Sequence, residues 1–242
     1  MTRLTPSDAH DPGRAAWPVG TFLARLSPSS RDDLLSVSRP RRVDAGEVLI
    51  QQGQARCHVF VLGVLDSPRS ACAKITATAR NGAETLLGIR VGGDVVGELA
   101  ALRGTYRSAT VTTCSNTVVG YVDQADFVAF LNTHPDGWET MCRMIADRLD
   151  WANRRRLDFA GYDVPRRLAR VLLELAERHG EPEAEGHALG VGLSQSEMGM
   201  LIGAGPDAIG LALRQLRRAG LVTTTYRALR ITDLDGLRRF AD

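Results

Sequence analysis

Residues 96–111 contain the side chains that are needed to hold a phosphate group attached to a sugar. Gly97 and Glu98 stand at the start of a short apolar turn, and Arg107 and Ser108 follow further along. A phosphate requires backbone N–H groups at a helix start and a guanidinium that can grip two oxygens at once. A fixed carboxylate such as that of Glu98 accepts from a ribose hydroxyl. The spacing favours a site for a cyclic phosphodiester over a solvated Glu and Arg beside an ordinary turn.

This segment closely resembles the phosphate-binding cassette of cyclic-nucleotide-binding domains, since the spacing from Glu98 to Arg107 fits the family pattern without a gap. The resemblance implies that Glu98 accepts from the ribose 2′-hydroxyl and that Arg107 pairs with the cyclic phosphate. Ser108 and the amides of Leu99 and Ala100 would add donors to the phosphate. The implied binding residues are Gly97, Glu98, Leu99, Ala100, Arg107 and Ser108. The implied ligand is a cyclic nucleotide, cAMP first and cGMP as the alternative.

Composition excludes several classes of protein. The chain has 242 residues and a formal net charge of +2, which suits one large domain or two modest ones. This charge is compatible with a nucleic-acid partner, because a local basic face is enough to bind one. No apolar run approaches the roughly 18–20 residues of a membrane span, and the first twenty residues lack the apolar centre of a signal peptide. We therefore expect a cytoplasmic protein without a membrane partner.

The cysteines indicate neither a metal site nor a disulfide framework. Four cysteines, at positions 57, 72, 114 and 142, form no Cys-x-x-Cys pair, and in a cytoplasmic chain we expect them to be reduced and buried. Cys57 and His58 are the only adjacent pair of potential metal ligands. One such pair is more typical of strand packing than of a metal or haem site, so we expect no metal.

Residues 41–122 alternate short β-branched runs with turn signals, which predicts strands of about five residues. The predicted strands include 48–50, 59–62, 75–79 and 85–89. Asn81-Gly82 between the last two predicts a hairpin. This pattern predicts an α+β protein whose domain at 21–134 is an antiparallel β jelly-roll barrel.

Three segments around these strands carry their own expectations. Residues 1–20 are expected to be a mobile tail, and a short helix is expected within 26–37. Residues 63–70 predict a long hairpin loop to which we assign no function.

Apolar residues then recur at helical spacing over 135–161, from Trp138 to Phe159, which predicts one long helix with a continuous apolar stripe. The same helix of a second copy is the expected cover, which would make this the dimerisation helix of a homodimer. Packing against the chain's own barrel alone is the alternative. Arg154, Arg155 and Arg156 are expected to form a solvated basic face.

The segment Tyr162–Pro165 should end this helix, because the residue before a proline is pushed away from helical geometry. After a helix over 165–179 and an acidic loop from Glu181 to Glu185, Ser194 and Glu197 have the spacing of a capping box. Two short helices joined by a glycine turn follow, and then a small hairpin around residue 227. This predicts a winged helix-turn-helix over 164–242, with a structural helical hairpin as the alternative.

A cyclic-nucleotide barrel, a long dimer helix and a winged helix-turn-helix, in that order, resemble the catabolite activator and fumarate–nitrate regulator family of bacterial transcription factors. The resemblance implies a homodimeric transcriptional regulator, without catalysis, that binds double-stranded DNA and meets RNA polymerase. The implied DNA-binding residues are Ser194, Gln195, Asp207, Ala208, Leu211, Arg214, Arg217 and Arg218. Asn153 occupies a position where cAMP-responsive members contact the adenine edge across the subunit boundary.

The chain departs from the family pattern both in the predicted DNA-binding helix and at the base-contacting side of the predicted ligand site. Pro206, Asp207 and Leu211 stand where the family usually places a base-reading Arg, a Glu and a second Arg, and proline and leucine cannot make the paired bonds to guanine. We therefore expect DNA binding that is weaker, or of different sequence preference, than is usual in the family. At the ligand end, Ala152 removes one contact to the base.

Other functions remain open from the sequence alone. The altered helix-turn-helix could serve as a protein-interaction module, or the pocket could be degenerate and DNA binding independent of ligand. A redox or gas sensor that uses Cys57, His58 or the other thiols is a third reading. An enzyme is the least favoured class, because the glycine, glutamate and arginine of the cassette form no organised nucleophile and base.

Overall fold

The structure is a computed structural model that describes residues 17–64, 71–183, 186–225 and 228–242. Our expectations for residues 1–16, for 65–70 of the long hairpin loop, and for the wing tip at 226–227 lie outside these residues. Helices and antiparallel sheets alternate in the order expected, which confirms the α+β class. Among the described helices, none combines the length and apolarity required to cross a bilayer.

Two four-stranded antiparallel sheets form the barrel. The first has the order β1 (Arg39–Val43), β8 (Thr117–Val122), β3 (Val59–Leu62) and β6 (Val95–Val96). The second has the order β2 (Val48–Ile50), β7 (Thr110–Thr113), β4 (Cys72–Thr78) and β5 (Glu84–Val91). Buried side chains from both sheets, among them Leu62, Val119, Ala73 and Val111, share one hydrophobic cluster. The predicted jelly roll is confirmed.

Four helices pack against the first sheet of the barrel. They are α1 (Phe22–Arg25), α2 (Pro28–Val37), α3 (Glu98–Arg103) and α4 (Gln124–Thr133). The hydroxyl of Ser27 caps α2 by accepting from the amide of Ser30.

Residues 17–20, which we expected to be part of a mobile tail, contact the barrel. The indole N–H of Trp17 donates to the carbonyl of Gly63 at 3.0 Å, and the guanidinium of Arg31 lies over the indole ring. Residues 17–20 therefore belong to the barrel domain, because an aromatic anchor fixes them.

Helix α5 (Pro135–Gly161) has 27 residues, and its apolar stripe divides into two parts. Met141 and Met144 are buried in the same cluster as barrel side chains. Leu149 and Leu157 are 62% and 70% exposed. The first part of the stripe therefore covers the chain's own barrel, whereas Leu149 and Leu157 in the second part are left uncovered by the described residues.

An ion-pair network, here called the hinge network, joins α5 to α6 (Val164–His179). The carboxylate of Asp158 accepts from Arg170 at 2.8 Å and pairs with Arg155 at 3.2 Å, and Arg155 also pairs with Glu174 at 2.8 Å. Asp158 and Arg155 are both buried. The expectation of a solvated basic face at 154–156 is therefore wrong for Arg155, because α6 folds back onto that side of α5.

The carboxy-terminal domain is a winged helix-turn-helix, as predicted. Its helices are α7 (Gln195–Ile202) and α8 (Pro206–Arg218), and the capping box of Ser194 and Glu197 is complete. The wing strands β11 (Val222–Thr225) and β12 (Ala228–Ile231) extend into a four-stranded sheet with β10 (Gly186–Ala188) and β9 (Glu181–Glu183). The prediction of an acidic loop is therefore wrong over 181–183, where a strand forms. A last helix, α9 (Leu234–Ala241), was not predicted.

The helix-turn-helix domain rests on the β4–β5 hairpin of the barrel. The ammonium of Lys74 contacts the carboxylate of Glu197 at 2.5 Å, and the hydroxyl of Thr85 donates to the carbonyl of Met200 at 3.3 Å. Cys72, Leu86 and Ile89 of the barrel are buried in the cluster that also holds the core of α6, α7 and α8. The two domains thus share apolar core.

The hinge network predicts a difference between two acidic residues of α5. Asp158→Ala should lower the free energy of unfolding by about 3–5 kcal/mol, because it breaks a buried ion pair: Arg155 keeps only Glu174, and Arg170 loses its carboxylate partner. Asp150→Ala removes a 64% exposed partner of Arg154 and should change stability by less than about 1 kcal/mol. Urea denaturation of both variants measures this difference. Equal losses of unfolding free energy in the two variants would contradict the assignment of Asp158 to a buried ion-pair network.

Candidate functional site

A cavity of about 410 Å³ lies between the barrel, α5 and α6, a volume within the usual range for small-molecule sites. The structure brings together in its wall all six cassette residues predicted from the sequence. They are Gly97, Glu98, Leu99, Ala100, Arg107 and Ser108.

Gly97 is fixed by backbone geometry and by lack of space. Its φ of +89° is in the left-handed region, where it forms the N-cap of α3. A Cβ at this position would lie 2.6 Å from a terminal nitrogen of Arg107 and 2.8 Å from Cδ1 of Ile50. Only glycine lets the chain turn into α3 with the arginine alongside.

Arg107 is a buried cation that is held by carbonyl groups. It is 3% exposed and donates to the carbonyls of Gly97 at 2.9 Å and His58 at 2.5 Å. Within the described part of the chain, no carboxylate lies at ion-pair distance from it. Burial lowers the pKa of its guanidinium, because the charged form is poorly solvated there.

Glu98 is held by an arginine that sequence reasoning missed. Nη1 of Arg148 donates to Oε1 of Glu98 at 2.5 Å, and its other terminal nitrogen donates to the carbonyl of Val95 at 3.0 Å. Arg148 lies on the face of α5 that also carries Ile145 and Ala152 into the cavity wall. The helical spacing of these three residues is visible in the sequence and could have indicated that an arginine of α5 faces the cavity.

Basic residues outnumber acidic ones around the cavity. Arg90 and Arg178 join Arg107 and Arg148 in the wall, against the carboxylates of Glu98 and Glu174. Burial, and then the neighbouring Arg148, lower the pKa of Arg90 to about 9. Such an excess of positive charge favours an anionic ligand.

The rest of the wall is apolar. Ile75, Leu87, Trp151 and Leu175 line it, and they come from the barrel, α5 and α6. The cavity can therefore hold a ligand with one anionic part and one flat or apolar part.

His58 packs against aromatic rings, as expected. Its ring stacks on Tyr121, with centroids 4.7 Å apart, and meets the edge of Phe60. Burial and the nearby charge of Arg107 lower its pKa to about 4, so the imidazole is neutral at pH 7. In the described ranges, no three His, Cys, Asp or Glu side chains are grouped as metal ligands would be.

The two residues that we expect near the base of the ligand, Ala152 and Asn153, lie on different sides of α5. Ala152 lines the cavity of its own chain, and Asn153 does not. Asn153 is exposed and follows Leu149 by one helical turn, on the uncovered part of α5. Its predicted role is thus compatible only with the cavity of a second copy and stays a prediction.

The predicted DNA-binding residues lie on α7, on α8 or at the N-cap of α7, and all of them except Ala208 are exposed. Ser194, Gln195, Arg214 and Arg217 line a shared cleft between the two helices and the wing. Leu211 is 62% exposed in the middle of α8, and Asp207 and Arg218 are also exposed, with Ala208 half-buried. The Ser194 hydroxyl already accepts from the amide of Glu197 at 3.2 Å, so it serves first as a helix cap.

Two protein families match separate parts of this chain. The profile of the cyclic nucleotide-binding domain matches residues 40–134, and that of the Crp-like helix-turn-helix domain matches residues 166–240. The CRP-like cAMP-activated global transcriptional regulator of Mycobacterium tuberculosis is 26% identical over 216 residues, which are 89% of this chain and 94% of the relative.

Two further comparisons agree with these matches. The cAMP-activated global transcriptional regulator Vfr of Pseudomonas aeruginosa is 28% identical over 197 residues, which are 79% of this chain and 88% of that protein. The solved structure of the c-di-GMP responsive global regulator CLP of Xanthomonas campestris has a TM-score of 0.69 at 19% identity, covering 86% of this chain and 100% of the other. This structural similarity shows a shared fold.

Proposed function

Because the chain belongs to the family of Crp-like transcriptional regulators, with a cyclic nucleotide-binding domain and a DNA-binding helix-turn-helix, we propose that it is a homodimer that senses a cyclic nucleotide. The observation that carries the proposal is the buried guanidinium of Arg107 in the wall of the cavity. It has carbonyl partners but no carboxylate within the described residues, and a cyclic phosphate supplies the missing negative charge.

The hydrogen-bonding capacity of the cassette matches this ligand. Arg107 has five N–H donors, of which the two carbonyls use two, so the others can reach the phosphate. Arg148 occupies Oε1 of Glu98 and leaves Oε2 to accept from the ribose 2′-hydroxyl. The first turn of α3 adds amide N–H groups that have no acceptor within the helix.

We propose cAMP as the first ligand to test and cGMP as the alternative. Both curated relatives are described as cAMP-activated. The base would lie toward the apolar wall at Trp151 and Leu175. Ala152 offers no polar atom to the base, so discrimination would depend on Asn153 of a second copy, which can both donate and accept.

The uncovered part of α5 supports the homodimer. Leu149 is 62% exposed and also lines the cavity, so the ligand would lie directly beside the proposed interface. A second copy of α5 would cover Leu149 and Leu157 and bring its Asn153 toward this cavity. Ligand binding would then alter how the two helices pack.

Contacts between the cavity and α6 offer a route from ligand to DNA. Glu174 and Arg178 of α6 belong to the helix-turn-helix domain and also line the cavity. A ligand that prefers one arrangement of these residues would shift an existing equilibrium between orientations of the domain. In a dimer, two α8 helices would reach successive major grooves about 34 Å apart. RNA polymerase as a further partner stays a prediction.

The DNA sequence preferred by this protein should differ from the one preferred by relatives that recognise bases with arginines. Leu211 projects from the exposed face of α8, and an aliphatic side chain contacts the methyl group of thymine rather than guanine. Arg214, Arg217 and Arg218 would contact phosphates, which supply affinity and orientation.

Removal of the Arg107 guanidinium should weaken ligand binding strongly. Arg107→Ala should weaken cAMP binding on the order of 30-fold or more, because a buried phosphate loses its charged partner. Arg103→Ala, which changes an exposed arginine of α3, should bind like the wild type. Calorimetric titration with cAMP and with cGMP measures both, and thermal melting checks that the variants are folded. Unchanged affinity in folded Arg107→Ala protein would refute the cassette assignment.

The dimer interface can be tested with two leucines of equal exposure. Leu149→Glu should convert the protein from two chains to one in sedimentation analysis, because it places like charges opposite each other across the interface. Leu211→Glu changes a leucine that is also 62% exposed but lies on α8, and this variant should stay dimeric. A wild-type protein that sediments as one chain would contradict the proposal.

DNA recognition can be separated into affinity and sequence preference. Arg214→Ala should weaken binding to all sequences and reduce the salt slope by about 1, whereas Leu211→Ala should relax preference at one base pair. Selection from random DNA, followed by titrations at several salt concentrations, measures both effects. We expect a half-site in which thymine occupies a position where arginine readers select guanine. Recovery of a guanine there at nanomolar affinity in about 150 mM salt would contradict this expectation.

A further inference from the structure

Two cysteines face each other on the barrel surface that supports the helix-turn-helix domain. In the β4–β7 pairing, Ala73 lies opposite Thr113, which places Cys72 opposite Cys114. The amide of Cys114 donates to the carbonyl of Cys72 at 2.7 Å. Both cysteines are free thiols.

The backbone geometry at this pair suits a disulfide. Directly opposed, hydrogen-bonded residues of antiparallel strands have Cα atoms about 5.5 Å apart. That value lies inside the range of about 4.4–6.8 Å found for disulfides. The two side chains point to the same side of the sheet, and a hydrogen bond between the two thiols shifts the pKa of both in opposite directions. A bond between the sulfurs therefore needs little movement of the strands.

The two thiols differ in environment. Cys114 is half-buried, whereas Cys72 is 7% exposed. The hydrogen bond from Cys72 lowers the pKa of Cys114, and the charge of Lys74 lowers it further. The same hydrogen bond and burial raise the pKa of Cys72. Cys114 is thus the accessible nucleophile, and Cys72 is placed to react with its oxidised form.

We propose that Cys72 and Cys114 form a reversible oxidation site for hydroperoxides, and that its disulfide form strengthens the contact between barrel and helix-turn-helix domain. The Cys114 thiolate attacks the peroxide O–O bond and takes the terminal oxygen; the other oxygen takes a proton and leaves as an alcohol or water. The resulting sulfenic acid is attacked by Cys72, which forms the S–S bond and releases water. Overall, two thiols lose two electrons and two protons to one hydroperoxide.

Oxidation of Cys114 affects the contact between the barrel and the helix-turn-helix domain through the charges around this residue. Lys74 holds Glu197 of α7 at 2.5 Å, and both charges act on the Cys114 thiol. A thiolate at this position attracts the ammonium of Lys74 and repels the carboxylate of Glu197. The disulfide carries no charge, so oxidation removes both effects and favours the Lys74–Glu197 pair. This inference does not depend on the proposed nucleotide.

Peptide mapping after oxidation tests the site. The tryptic peptide 70–74 contains Cys72, and the peptide 108–143 contains both Cys114 and Cys142. The mapping is therefore done on full-length Cys142→Ser protein, in which Cys114 is the only cysteine of the longer peptide. After treatment with hydrogen peroxide, we expect these two peptides to be joined, with a loss of about 2 Da, and to separate again with dithiothreitol.

Controls distinguish this pair from general thiol oxidation. Cys72→Ala and Cys114→Ala, each combined with Cys142→Ser, should form no crosslink, and Cys57→Ser in the same background should keep it. Thermal melting confirms that each variant is folded. Free thiols at 72 and 114 after Cys57 has been oxidised, or a crosslink that involves Cys57, would overturn the proposal.

Hydrogen exchange tests the effect on domain contact. Amides of α7 should exchange several-fold more slowly in the oxidised protein than in the reduced protein. Unchanged or faster exchange in the oxidised protein would refute the coupling, even if the disulfide forms.

Discussion

A buried positive charge without a carboxylate partner in the described residues organises the ligand end of the molecule. Arg107 has to be accommodated by carbonyl dipoles, and the chain supplies them from Gly97 and His58. This demand explains why Gly97 has no side chain and a positive φ, because any Cβ would occupy the position of the guanidinium. His58 beside it is neutral at pH 7, because burial and then the charge of Arg107 lower its pKa to about 4. The cavity is thus shaped around a buried cation to which the described residues offer no carboxylate.

The second organising feature is the position of Glu174. Its carboxylate pairs with Arg155 in the hinge network, and the residue also lines the ligand cavity. A change in the electrostatic potential of the cavity therefore acts on the residues that fix the angle between α5 and α6. Lys74 and Glu197 provide a separate contact between the same two domains. The orientation of the helix-turn-helix domain depends on both polar contacts, and its apolar contact with β4 and β5 accompanies them.

The cassette could be predicted from the sequence because its chemistry is contained in one short segment with fixed spacing. The capping box and the glycine turn were predictable for the same reason. Arg148 was missed because it contacts Glu98 across 50 positions of sequence, and Arg155 was misassigned because a run of arginines does not indicate which side of a helix another helix covers. The contribution of α6 to the cavity depends on contact between domains, which no local pattern of residues records. Helix α9 and strand β9 are short elements whose stability comes from packing rather than from their own propensity.

The shared core of the two domains has a consequence for how such proteins can be recombined. Cys72, Leu86 and Ile89 belong to the barrel by chain connectivity, yet they are buried among side chains of the helix-turn-helix domain. A chimera that joined this barrel to another protein's DNA-binding domain at residue 163 would expose these apolar side chains, or bury them against a surface of a different shape. The boundary given by sequence families is therefore not the boundary of a folding unit. Exchange of domains in evolution or in engineering would have to carry the β4–β5 hairpin surface along with the helices that rest on it.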